Sequence, residues 1–203
     1  MLHITTTSHL YSYNPTTKDE LKKIIIQRIK DEGPECDLND IDVSNINDMS
    51  GLFDAFGVGN EIFKNFNGDI SLWNVSNVTN MYAMFNRCEK FNCDLSDWDV
   101  SNVEDMGIMF NGCEKFNGDI SRWDVSNVKT IAYMFHECKK FNCDLSHWNM
   151  SNIENMYNAF LECPTQPKLY KLYMIKQRQS GLTYSLINSV YKRMGVPKQY
   201  LNF

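Results

Sequence analysis

The segment Phe66-Asn67-Gly68-Asp69-Ile70-Ser71 returns at Phe91, Phe116 and Phe141, so the chain repeats itself every 25 residues. A fixed period of this size means units that cannot bury their apolar faces alone and that gain a core only by stacking on their neighbours. The expected fold class is therefore a repeat solenoid, and such a chain presents surface rather than enclosing a pocket.

Periodicity also sorts the seven cysteines. Cys88, Cys113, Cys138 and Cys163 share one phase, while Cys36, Cys93 and Cys143 share another, with Gly68 and Gly118 filling it between them. Members of the second set fall two coils apart, roughly 10 Å if coils are spaced like paired strands, too far for a disulfide. The first set stacks with parallel side-chain directions that rarely give a disulfide torsion, so free buried thiols are expected, as in a reducing compartment. The start, Met1-Leu2-His3-Ile4-Thr5-Thr6-Thr7-Ser8, lacks the basic and apolar regions of a signal peptide, and no transmembrane segment of 18 or more apolar residues occurs. Absent signal and free thiols point to a cytoplasmic location. A hydrophobic share of 43% and a charged share of 22% argue against disorder.

Residues 1–15 read as an N-terminal tail. Thr17-Lys18-Asp19-Glu20 is a capping box, and Leu21, Ile24, Ile25, Arg28 and Ile29 follow at helical spacing up to Gly33-Pro34, which predicts an N-terminal capping helix within 16–33. Residues 34–165 hold five coils. The first is irregular, because its Asp37 and the matching Asp69 are 32 residues apart, and its extra residues predict a loop near 55–65. Residues 166–203 break the period and read as a basic helical C-terminal cap. That cap carries seven basic and no acidic residues, leaving −12 on the rest of a chain whose total is −5.

Within a coil, Trp73-Asn74-Val75 alternates as a strand does, whereas Val78, Met81, Met84, Phe85 and Cys88 recur at three or four residues. The expected coil is thus a short parallel strand at each Trp-x-Val, followed by a helical or 3₁₀ arc. Ile70-x-x-Trp73-x-Val75-Ser76-Asn77 is close to a leucine-rich-repeat pattern. Asn45, Asn77, Asn102, Asn127 and Asn152 would form a ladder meeting backbone groups.

The unit Phe-Asn-Gly-Asp-Ile-Ser-Arg-Trp-Asp-Val-Ser-Asn-Val at 116–128 resembles the repeat of BspA-like leucine-rich-repeat surface proteins of bacteria, over about 37–163. The resemblance implies a leucine-rich-repeat-like solenoid and, for many members, cell-surface display and adhesion to host or matrix proteins.

Positions flanking the expected strand project outward: Asp40 and Asp42, then Leu72 and Asn74, Asp97 and Asp99, Arg122 and Asp124, His147 and Asn149. Residues 72, 97, 122 and 147 differ in every coil although their neighbours barely change. Those eight from Leu72 to Asn149 form the candidate partner-binding face, and its acidic first half favours a basic protein ligand. No catalytic, cofactor-binding or metal residue is assigned. His3, His9, His136 and His147 accompany no nucleophile motif, the recurrent Asp69, Asp94, Asp119 and Asp144 read as turn caps rather than calcium ligands, and a straight cysteine file cannot converge on zinc. The expected function is a non-enzymatic protein-protein interaction module. The alternatives are an exported adhesin or, more weakly, nucleic-acid contact through the basic cap, whose charge is better explained by neutralising or solvating the acidic end of the array.

Overall fold

A computed structural model describes residues 11–164. The expected C-terminal cap lies outside them. Among the described residues the regular elements are one helix, α1 (Lys18–Glu32), and one 3₁₀ turn, Glu61–Phe63. Thr17 caps α1 by accepting from the Glu20 amide, and the Glu20 carboxylate accepts from the Thr16 amide and hydroxyl. Gly33, at a φ of 95°, ends the helix. Leu21, Ile25 and Ile29 are buried and join the core of the repeats. On the helix's flanks, Lys18 Nζ reaches Asp48 and Ser50, Lys22 Nζ reaches the Gly51 carbonyl, and Arg28 reaches Asp40 and the Asp37 carbonyl.

The expected leucine-rich-repeat-like solenoid, with a strand at every Trp-x-Val and a helical arc after it, is overturned. The described residues contain isolated parallel bridges but no strand or sheet: four bridges link Asp48, Asn80, Asp105, Thr130 and Asn155 in series, two more join Tyr13 to Ile41 and Asp37 to Asp69, and none falls on a Trp-x-Val segment. At Trp-x-Val the chain bends instead of extending. Trp73 N donates to Ile70 O and Val78 N to Val75 O, so two tight turns close around the segment, and the same pair recurs in later units. Aspartate and asparagine caps reinforce this bending. The alternation of Trp-x-Val reports burial, which a turn can supply as well as a strand.

Backbone pairing between units lies instead on the stretch expected to be an arc. Met81, Ala83, Phe85 and Arg87 donate their amides to the carbonyls of Asp105, Gly107, Met109 and Asn111 at 2.6–2.9 Å. Met106, Ile108, Phe110 and Gly112 do the same to Thr130, Ala132, Met134 and His136, and Met49, Gly51, Phe53 and Ala55 to Asn80, Tyr82, Met84 and Asn86. Between these bonds, three-residue turns such as Met84 N to Met81 O interrupt any ladder. The alternation is kept by left-handed residues, Ala83 at 54° and Arg87 at 60°, with Ile108, Tyr133, Glu137, Asn158 and Glu162 at equivalent places. Left-handed backbone costs a side-chain-bearing residue about 1–2 kcal/mol, which the inter-unit bonds must offset.

Two phenylalanine files form the spine. Phe53, Phe85, Phe110, Phe135 and Phe160 stack at 5.3–5.8 Å, and Phe66, Phe91, Phe116 and Phe141 at 5.8–6.1 Å, all fully buried. Trp73, Trp98, Trp123 and Trp148 are buried beside the first file, with ring planes tilted 31–43° to it. Each indole N–H donates to a carbonyl of the preceding unit: Leu38, Ile70, Leu95 and Ile120. Buried Trp needs such a partner, so the indoles fasten units together more than they stack.

All seven cysteines are free. The thiols of Cys88, Cys113, Cys138 and Cys163 donate to the carbonyls of Phe53, Phe85, Phe110 and Phe135 at 2.9–3.0 Å. The asparagine ladder is present too: Asn77, Asn102, Asn127 and Asn152 donate to the carbonyls of Ser44, Ser76, Ser101 and Ser126.

Candidate functional site

The turn at each Trp-x-Val fixes what its flanking residues can do. With the tryptophan buried, both neighbours are driven outward, and Leu72, Asn74, Asp97, Asp99, Arg122, Asp124, His147 and Asn149 are all exposed. They fall into two files with different duties. In one file, Asn74, Asp99, Asp124 and Asn149 accept from the amides of Ser76, Ser101, Ser126 and Ser151 at 3.0–3.2 Å, closing the turn that follows. Hydrogen bonds from the Ser126 side chain and amide hold the Asp124 carboxyl below the usual carboxylate range. These four residues are structural caps.

In the other file, Leu72, Asp97, Arg122 and His147 make no side-chain hydrogen bond or ion pair among the described residues. Arg122, Asp124, His147 and Asn149, with Ser121 and Trp123, line a shallow groove of about 590 Å³. Asp40 sits apart from this file, paired with Arg28 of α1. Asp42 caps Ser44 in the same way as Asn74 caps Ser76.

Sequence reasoning did not find a second groove, of about 640 Å³, on the neighbouring positions. It runs over the asparagine ladder, with Glu104, Lys129 and Glu154 along it. The 25-residue spacing of Glu104, Lys129 and Glu154 is a signal that could have pointed to it. Lys129 pairs with Glu104 at 2.5 Å, and its pKa is raised by that contact. The groove is thus a polar face whose charges largely satisfy one another.

Other recurrent residues are occupied by the fold. Asp69, Asp94, Asp119 and Asp144 accept from the amides of Ser71, Ser96, Ser121 and Ser146 at 2.9–3.0 Å. Burial pushes the Cys88, Cys113 and Cys138 thiols far above their ordinary value, so they are poor nucleophiles and poor ligands at neutral pH. No helix among the described residues is long and apolar enough to cross a membrane.

A family described as "Mycoplasma protein of unknown function, DUF285" matches residues 25–117 and 55–171. No curated protein and no solved structure matches the chain.

Proposed function

The chain belongs to the DUF285 family, and on that footing we propose that it is a non-enzymatic interaction module whose free file, Leu72, Asp97, Arg122 and His147, meets a protein ligand. One observation carries this reading: the file is exposed and varied, yet each member sits between a serine held by an aspartate cap on one side and a buried indole on the other. A position with no duty in folding can take any residue, and four unlike residues at a fixed spacing make an address. Repeated units with bonded junctions lose little freedom on docking, which favours binding. Asp97, Asp99 and Asp124 give the face an acidic character suited to a basic partner.

The test is capture from the producing cell, comparing the wild type with a variant carrying Asp97→Ala, Arg122→Ala and His147→Ala together. Proteins retained by the wild type and lost by the variant support the reading. An unchanged set at unchanged stability contradicts it. A finer reading, adhesion at the cell surface, is supported by the likeness of the 116–128 unit to BspA-like repeats. Protease digestion of the protein on intact cells tests it, and full protection refutes it.

A further inference from the structure

One group of side chains has no part in the partner face. A ring nitrogen of His136 and one carboxylate oxygen each from Glu137 and Glu162 all lie within 4.8 Å of one another. Glu137 and Glu162 are one period apart, so stacking sets like charges one above the other, a juxtaposition that is unfavourable without a cation. Neither carboxylate forms an ion pair among the described residues, and Lys139, whose charge is felt by Glu137, is itself paired with Glu114.

An amide chain that begins far from this cluster sets the tautomer of His136. Asn86 Nδ2 donates to Asp54 Oδ1, Asn111 Nδ2 donates to Asn86 Oδ1, and His136 Nδ1 meets Asn111 Oδ1, all at 2.9 Å. Asp54 can only accept, so the polarity of every later link follows from it. Asn111 must offer its oxygen to His136, which puts the proton on Nδ1 and leaves the Nε2 lone pair free. Orientation of a metal-binding histidine by a hydrogen bond from its other nitrogen is the usual arrangement around zinc. Tyr133 packs edge-on against the imidazole at 5.7 Å and holds the ring in place.

We propose that His136, Glu137 and Glu162 form a binding site for a divalent transition-metal ion, with zinc the best fit for one imidazole and two carboxylates. Three protein ligands leave a coordination position for water. The ion would join two adjacent units and neutralise the stacked glutamates.

Zinc titration of the chelator-stripped full chain by calorimetry tests this, with cobalt(II) absorption as the second readout. One zinc per chain is expected, along with cobalt d–d bands that lack thiolate charge transfer. His136→Asn places at this register the amide found at 86 and 111, so it keeps the hydrogen-bond chain and removes the ligand; zinc affinity should fall more than about tenfold, as should that of Glu162→Gln. Asn111→Leu should weaken zinc by about 10- to 100-fold by freeing the ring. No zinc binding by a folded wild type overturns the proposal, and so does equal binding by His136→Asn or a cobalt spectrum dominated by thiolate.

Discussion

Phe110→Ala probes the spine at its centre. The ring is fully buried and stacks on Phe85 at 5.6 Å and Phe135 at 5.8 Å within its file, and on Phe116 at 4.0 Å across to the other. Removing a buried Phe costs about 3–5 kcal/mol through lost transfer energy and the cavity left behind. Aromatic pairs add about 0.5–1.5 kcal/mol each beyond burial, and this substitution deletes three close ones. A value at the upper end, about 5 kcal/mol, is therefore expected. Urea unfolding followed by tryptophan fluorescence suits the measurement, because the buried indoles at 73, 98, 123 and 148 report on successive units. Phe56→Ala is the matched control: that ring is 63% exposed and meets Arg87 at 5.4 Å, so its loss should cost less than about 1 kcal/mol. A cost below about 2 kcal/mol for Phe110→Ala, or equal costs for the two variants, would refute the stacked spine.

Three further outcomes are expected. A side chain at Gly68 would collide with the Cys36 carbonyl oxygen, whereas at Gly118 the nearest atom is a Phe116 ring carbon at 3.1 Å; Gly68→Ala should lower the urea midpoint by about 1–3 kcal/mol equivalent, and Gly118→Ala by less. Ala83→Gly relieves a left-handed backbone and should raise stability by up to about 1 kcal/mol in the same assay. Burial lifts the Cys93 thiol to about 11 and that of Cys163 to about 12 from an ordinary 9.0, so the stability linked to these thiols is full below pH 9 and is lost as pH rises through 11 and 12; urea midpoints measured from pH 7 to 11 should be flat at first and then decline, and a rise above pH 9 would contradict this.

What the sequence made legible was register. The 25-residue period identifies which residues share a file, and the asparagine ladder of Asn77, Asn102, Asn127 and Asn152 follows from it directly. Local geometry was not legible. Trp-x-Val satisfies the alternation rule for a strand, yet Asp and Asn caps at 69, 74 and their equivalents bend the chain there, and the two patterns look alike in one dimension. The left-handed places carry their usual glycine or asparagine at Gly51, Gly112 and Asn158, but Ala83, Ile108 and Glu137 hold the same places without that signal, so the pairing they permit does not show as a regular pattern. Alternation and divergence mark the partner face, and only side-chain contacts divide it into caps at 74, 99, 124 and 149 and free residues at 72, 97, 122 and 147. Glu137 and Glu162 share a phase in the sequence. The orientation of His136 beside them depends on links from Asp54 that no spacing rule reveals.

Amide hydrogen exchange by NMR tests most directly where one unit is bonded to the next. Slow exchange is predicted at Met81, Ala83, Phe85 and Arg87 and again at Met106, Ile108, Phe110 and Gly112, with fast exchange at Asn74, Asp99 and Asp124. Protected amides at 74, 99 and 124, with rapid exchange at 81–87, would contradict the account.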